Sequence, residues 1–107
     1  MVINYDSEYL RELYEQGRCN DRKHRYQPAV VRNYQKCVKI LSTVRRIEDL
    51  FPFNGLRYET LTGDKKGLSS VRIDDKYRLE FTISHGEATD EPFVTICTLT
   101  DITNHYR

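Results

Sequence analysis

Hydrophobic and polar residues alternate with two different periods along this chain, and the period changes near residue 56. Before that point, apolar positions recur every three or four residues, which is the spacing of an amphipathic helix. The longer of two such stripes follows Pro28, a residue that suits the first turn of a helix. Its apolar positions are Val30, Tyr34, Cys37, Leu41 and Val44. We therefore predict a helix that starts at Pro28 and fades near Ile47–Leu50.

A shorter helix is predicted closer to the start of the chain. Its apolar side consists of Leu10, Leu13 and Tyr14. Asp6 or Ser7 can cap its first turn, and Gly17 is placed to end it. The residues before it, Val2–Tyr5, can form a short first strand.

From residue 56 onwards the apolar residues alternate with a period of two, which is typical of β-strands. The predicted strands are Leu56–Leu61, Leu68–Ile73, Tyr77–Ile83 and Phe93–Thr100. The short polar segments between them favour antiparallel hairpins, because a parallel crossover needs a dozen residues or more. The whole pattern predicts one α+β domain over residues 1–107. Two N-terminal helices pack on one face of a twisted antiparallel sheet.

Composition excludes several classes of protein. No apolar run approaches the roughly 18 residues that span a bilayer, and the first residues lack the pattern of a signal peptide. The three cysteines, Cys19, Cys37 and Cys97, form no CxxC pair, which argues against a disulfide framework or a zinc site. We therefore expect a cytoplasmic protein that needs neither a membrane nor a metal or other cofactor.

Charge is distributed unevenly along the chain. Residues 18–46 contain nine Lys or Arg residues and one acid, a net charge of +8, whereas the whole chain carries +1. A basic region in an otherwise acidic protein indicates an anionic partner. The alternative is that these residues form only the solvated surface of a loop and a helix.

Strand alternation places three charged residues together. Arg72 and Arg78 fall opposite the apolar residues of their strands, and Glu59 is predicted on the same exposed face of the sheet. The arginine guanidinium matches phosphate oxygens, and a carboxylate can accept a proton from a hydroxyl group. The structural alternative is a cross-strand ion pair without a catalytic role, which is common on solvated sheet faces.

One segment, Gly63–Phe81, carries a more specific pattern. It consists of a Gly-Asp-Lys-Lys-Gly turn, a Ser-Val-Arg-Ile strand, a polar turn and a Tyr-Arg-Leu-Glu-Phe strand. This arrangement resembles the HigB-type toxins, a branch of the RelE/ParE superfamily of type II toxin–antitoxin systems. The length of the chain, the order of its elements and its ending Asn104-His105-Tyr106 also resemble that family.

The resemblance implies a RelE-like fold and a ribosome-dependent endoribonuclease that cuts mRNA and inhibits translation. It further implies a cognate antitoxin as partner, with operator DNA bound only through that antitoxin. The implied mechanism needs no metal, because the 2′-hydroxyl of the RNA attacks the adjacent phosphate.

The resemblance also assigns roles to residues of this chain. Arg78 would stabilise the charge on the phosphate, and Arg72 would bind the phosphate group. His105 would act as general acid, and Tyr106 would orient the nucleotide or its phosphate. Several HigB-type toxins have a histidine where this chain has Glu59, whereas YoeB-like relatives have a glutamate that acts as base, so Glu59 is the expected general base. The residues expected to bind RNA or the ribosome are Arg18, Arg22, Lys23, Lys65 and Lys66.

Two other functions are compatible with this sequence. The first is a ParE-like toxin that acts on DNA gyrase and cleaves no RNA. The second is a catalytically silent module whose basic region binds RNA or an antitoxin.

Overall fold

A computed structural model of the chain describes residues 1–86 and 94–104, in which two helices pack against a five-stranded sheet. The helices are α1, Glu8–Gln16, and α2, Pro28–Thr43. The strands are β1, Val2–Tyr5; β2, Glu59–Thr60; β3, Ser69–Arg72; β4, Arg78–Gly86; and β5, Val94–Thr103. The predicted α+β class, with both helices against one sheet, is confirmed.

The sheet has the strand order β1-β5-β4-β3-β2. The pairs β2–β3, β3–β4 and β4–β5 are antiparallel, as predicted from the short connections between them. Strand β1 pairs with β5 in parallel and therefore makes the sheet mixed at this edge. The chain between β1 and β5 contains both helices and strands β2 to β4, so it is much longer than the dozen or so residues that a parallel connection requires.

Local signals account for the end of α1 and the start of α2. Ser7 occupies the cap position before α1 with extended backbone but makes no side-chain capping hydrogen bond, and Gly17 ends the helix with a φ of 75°. The Gly17 amide donates a hydrogen bond of 3.1 Å to the carbonyl of Leu13, a closure that favours glycine. Helix α2 begins at Pro28 as predicted but ends at Thr43, before the predicted fading point. The chain forms a separate 3₁₀ turn at Ile47–Leu50.

The core lies between the inner faces of the helices and one face of the sheet. Its fully buried members include Leu10, Tyr34, Val38, Leu41, Leu50, Val71, Leu79, Phe81 and Leu99. The Tyr34 hydroxyl donates a 2.6 Å hydrogen bond to the Leu10 carbonyl. This bond ties α2 to α1 and satisfies a polar atom that would otherwise be costly to bury.

Within residues 1–86 and 94–104, no helix combines the length and the apolar composition needed to cross a membrane. The same residues contain no group of three or more His, Cys, Asp or Glu side chains that could hold a metal ion.

The three cysteines differ in burial, and we expect them to differ in reactivity. Burial raises the pKa of the Cys37 thiol to about 11 and that of Cys97 to about 12. Both thiols therefore stay protonated and unreactive at pH 8. Cys19 is half-buried, and its thiol donates to the His24 carbonyl at 3.4 Å.

A thiol titration with Ellman's reagent checks this expectation. The native protein should react with one equivalent at pH 8, and the unfolded protein with three. Cys19→Ser should abolish the native reaction and leave two thiols after unfolding. Rapid reaction of a second thiol in the native state would show that the described burial is wrong.

Candidate active site on the polar face of the sheet

The strand register brings the predicted charged residues onto one face of the sheet. Arg72 pairs with Arg78 across β3 and β4, and Glu59 pairs with Ser70 across β2 and β3. Residues Val71 and Leu79, which alternate with them, are fully buried on the helix side. The alternation predicted from sequence is therefore confirmed for this part of the sheet.

Arg78 is anchored by neutral oxygens. Its Nε donates to the Ser70 hydroxyl at 2.9 Å, and one terminal nitrogen donates to the Arg57 carbonyl at 2.6 Å. Ser70 is completely buried, and the Arg78 side chain is only 12 % exposed. The guanidinium is thus fixed in direction before any ligand arrives, which is the preorganisation that charge stabilisation requires.

Glu59 lies beside this guanidinium. Its Oε1 atom is 3.5 Å from Arg78 Nε, and its side chain is 50 % exposed. The contact is the cross-strand ion pair that the sequence offered as an alternative to catalysis. A half-exposed pair of this kind adds little to stability. The same contact places a proton acceptor next to a fixed cation, at a surface open to solvent.

Arg57 contributes to the site through its backbone carbonyl. It has a φ of 45° and is the one non-glycine residue with positive φ in the described segments. This left-handed conformation directly follows a 3₁₀ turn at Asn54–Leu56. Strand β2 is therefore limited to Glu59–Thr60, and the predicted strand Leu56–Leu61 is too long. Such strain is concentrated at functional sites, and here the Arg57 carbonyl accepts from Arg78.

The ion pair of Arg72 is made within the β3–β4 turn. Its guanidinium pairs with Asp75, which is itself exposed. The neighbouring Asp74 accepts hydrogen bonds of 2.8 Å from the amides of Lys76 and Tyr77, and these bonds fix the turn. Arg72 therefore lies one strand away from Glu59, at the turn side of the same face.

Sequence reasoning missed the burial of one acid on this face of the sheet. Glu80 is almost completely buried, and Lys65 contacts it with an Nζ–Oε2 distance of 2.7 Å. A carboxylate at this depth requires a cation or hydrogen-bond donors. Its position between Arg78 and Thr82 already placed Glu80 on the polar face, but alternation does not report depth. The pair holds Lys65 over the sheet, whereas Lys66 is exposed in the same turn.

The other predicted cations lie elsewhere. Arg18, Arg22 and Lys23 are exposed in the connection between the helices and do not line the cleft at Arg78. Asp21 organises this connection, because its carboxylate accepts from the Lys23 amide at 2.9 Å and pairs with the ring of His24. Both contacts lower the pKa of Asp21.

Glu59, Arg72 and Arg78 line an open cleft of about 1040 Å³, which we call the Arg78 cleft. It is lined by Asn54, Gly55, Arg57, Tyr58, Glu59, Arg72, Asp74, Asp75, Lys76 and Arg78. Four of these residues are cationic and three are acidic. In a cleft of this size, the cations can bind a phosphate group, and a carboxylate can accept a proton from a nearby hydroxyl group.

The predicted residues His105 and Tyr106 lie outside the described residues. Strand β5 ends at Thr103, whose register partner on β4 is Arg78. A bulge between Glu80 and Phe81 accompanies this extension of β5 beyond its predicted end at Thr100. The last described part of the strand is thus adjacent to the cleft.

Solved structures of toxins resemble this fold. A YoeB/ParE toxin from Agrobacterium tumefaciens superposes with a TM-score of 0.58 at 19 % identity, over 99 % of this chain and 100 % of that chain. YafQ from E. coli strain BL21(DE3) superposes with a TM-score of 0.56 at 10 % identity, over 96 % of this chain and 91 % of that chain. At these identities the similarity shows the fold alone.

Sequence comparison is more specific. The family model for the RelE-like toxin HigB of type II toxin–antitoxin systems matches residues 3–93, which include Glu59, Arg72 and Arg78. Toxin HigB-1 of Vibrio cholerae serotype O1 is 32 % identical over 90 residues, covering 82 % of this chain and 90 % of that toxin. The chain therefore belongs to the HigB-like toxins of the RelE family.

Proposed function

We propose that this toxin is an endoribonuclease that cleaves mRNA on the ribosome and thereby inhibits translation. The observation that carries the proposal is the 3.5 Å contact between Glu59 and Arg78 in an open cleft. It supports cleavage because nucleophilic attack on a phosphodiester needs a proton acceptor and a fixed cation close together. Membership of the family also implies an antitoxin as partner.

The reaction follows from the chemistry of RNA and requires no metal. Glu59 accepts the proton of a 2′-hydroxyl, and the 2′-oxygen attacks the adjacent phosphorus in line. The bond from phosphorus to the 5′-oxygen breaks, and His105 donates the proton that the leaving oxygen needs. The products are a 2′,3′-cyclic phosphate and a 5′-hydroxyl. Tyr106 orients the nucleotide.

Negative charge gathers on the phosphate oxygens during this attack. Arg78 stabilises that charge from a fixed position, because Ser70 and the Arg57 carbonyl already hold its guanidinium. Arg72 binds the phosphate from the turn side of the cleft. Electrostatic stabilisation of this kind is usually the largest single contribution to catalysis.

The remaining cations bind RNA or the ribosome over a wider surface. Lys65, held by Glu80, and Lys66 lie in the turn before β3. Arg18, Arg22 and Lys23 form a second, exposed group in the connection between the helices. Contacts of this kind are sensitive to salt, because each one releases counterions from a phosphate. Operator DNA is bound only through the antitoxin.

The proposal is tested with purified toxin, an mRNA on programmed ribosomes, and the same mRNA free in solution. We expect new 5′ ends within the ribosome-bound message and a much lower yield of such ends from the free RNA. His105→Ala should lower the cleavage rate by about 10²- to 10⁴-fold, the usual contribution of a general acid. Equal cutting of free RNA would disprove the ribosome requirement. Intact mRNA together with inhibition of DNA gyrase would favour the ParE-like alternative.

A further inference from the structure

The segment between α2 and β2 carries two exposed phenylalanines. Phe51 is 59 % exposed and Phe53 is 44 % exposed, and we call this pair the aromatic platform. Every other Phe or Tyr side chain in residues 1–86 and 94–104 is buried or half-buried. Two large apolar side chains exposed within three residues are candidates for contact with a partner.

Phe51 packs on two further aromatic rings. The ring of Phe51 lies 5.9 Å from that of Tyr58, which in turn lies 6.3 Å from the ring of the buried Phe81. The Tyr58 hydroxyl is hydrogen-bonded to Ser69 at 3.0 Å. Three rings therefore form a column from the core to the surface, and the outermost ring presents its exposed side to solvent.

The backbone of the platform is also ordered. The Phe53 amide donates to the Leu50 carbonyl at 2.9 Å, and the Leu56 amide donates to the Phe53 carbonyl at 3.0 Å. Pro52 separates the two phenylalanines and restricts the chain further. A rigid, exposed ring loses little entropy when a flat partner stacks on it.

The segment that carries the platform adjoins the Arg78 cleft. Asn54 and Gly55 follow it directly and line the Arg78 cleft, as does Tyr58 beneath Phe51. RNA with a phosphate bound at Arg72 and Arg78 would have its unpaired bases close to the segment that carries the two phenylalanines. Unpaired bases stack on aromatic side chains of proteins that bind single-stranded RNA.

We propose that the aromatic platform stacks an unpaired RNA base next to the cleaved phosphate, with Phe51 as the principal contact. This inference rests on the proposed function, because it takes the Arg78 cleft as the place of the RNA backbone. Every base has a flat face, so the platform adds affinity without choosing a sequence.

The test is binding of single-stranded 2′-O-methyl RNA hexamers, which cannot be cleaved because the nucleophile is blocked. Hexamers with one abasic position at each site in turn are compared with the intact hexamer by fluorescence anisotropy. At one position, loss of the base should weaken binding to the wild-type toxin by about 5- to 150-fold. Loss of the same base should change the affinity for Phe51→Ala by less than about twofold. In a double-mutant cycle, a base and a side chain that are in direct contact show this dependence on each other.

Three further variants distinguish stacking on an aromatic ring from a general apolar contact. Phe51→Trp should retain the effect of the base, whereas Phe51→Leu should lose most of it despite its apolar side chain. Val2→Ala is the matched control, because Val2 is 48 % exposed on β1, at the opposite edge of the sheet from β2. It should bind like the wild type.

Several results would overturn the platform. The first is an abasic position that weakens binding to Phe51→Ala as much as it weakens binding to the wild type. The second is a Phe51→Leu variant that binds RNA as the wild type does. The third is a Phe51→Ala variant that loses only toxin self-association. The last result would assign Phe51 to contact with a second copy of the chain. The assay does not depend on cleavage, and failure of the wild-type toxin to bind any intact hexamer would also count against the platform. Base coupling without mRNA cleavage would refute the proposed function alone, and normal cleavage without coupling would refute the platform alone.

Discussion

Replacing Arg78 with alanine is expected to lower the rate of mRNA cleavage by about 10²- to 10³-fold, the cost of losing one preorganised charge-stabilising group. The guanidinium is held by Ser70 and by the Arg57 carbonyl and contacts Glu59. Its removal therefore takes away both the cation and the group that positions the carboxylate. The measurement is the single-turnover cleavage rate of mRNA on programmed ribosomes.

Two control variants make this result interpretable. Arg78→Lys keeps the positive charge but loses the planar fork, so we expect it to stay well below the wild-type rate. Arg11→Ala removes an exposed arginine of α1 that pairs with Glu8 and Glu15, and it should cleave normally. Thermal unfolding followed by circular dichroism establishes that each variant is folded. A folded Arg78→Ala protein with the wild-type rate would refute the role of Arg78.

Replacing Glu59 with glutamine should reduce cleavage by about 10²- to 10⁴-fold, because the amide keeps the shape of the side chain but cannot accept the 2′-hydroxyl proton. Glu59 is half-exposed and its ion pair is open to solvent, so little stability should be lost. The affinity for a non-cleavable 2′-O-methyl RNA should stay within about threefold of wild type, since the carboxylate is not required for binding.

The matched control is Glu48→Gln, which removes an exposed carboxylate near Arg46 and away from the cleft. It should have no effect on the cleavage rate. A Glu59→Gln toxin that cleaves at the wild-type rate would show that the Glu59–Arg78 contact is only a structural ion pair. The general base would then have to be sought in another residue.

Periodicity predicted the parts of this fold that depend on local sequence. The start of α2 at Pro28 and the end of α1 at Gly17 follow from the conformations those residues favour. The alternation in β3 and β4 correctly separated Arg72 and Arg78 from the core. These features need no knowledge of distant contacts, because each is decided within a few residues.

The features that were missed depend on contacts between distant parts of the chain. The parallel pairing of β1 with β5 joins opposite ends of the sequence. The burial of Glu80 depends on the Lys65 side chain and on neighbouring strands. The left-handed backbone of Arg57 delivers a carbonyl to Arg78, and this residue is neither glycine nor asparagine, the types that usually adopt that conformation.

Resemblance and structure contribute differently to the site. Alternation alone grouped Glu59 with the two arginines, and the register agrees. The choice of Glu59 as base and His105 as acid came from the resemblance to HigB-type toxins, and both roles remain proposals. The aromatic platform had no signal in the sequence, because two phenylalanines around a proline do not reveal whether their rings are buried.

The chemistry of the cut ends tests the central claim most directly. Ribosome-bound mRNA is cleaved with the purified toxin, and the products are analysed by mass spectrometry. Attack by the 2′-hydroxyl predicts a 2′,3′-cyclic or 3′-phosphate on one fragment and a 5′-hydroxyl on the other. It also predicts that a single 2′-deoxy substitution before the cut phosphate abolishes cleavage. A 5′-phosphate with a 3′-hydroxyl, or undiminished cleavage of the deoxy-substituted message, would contradict the mechanism.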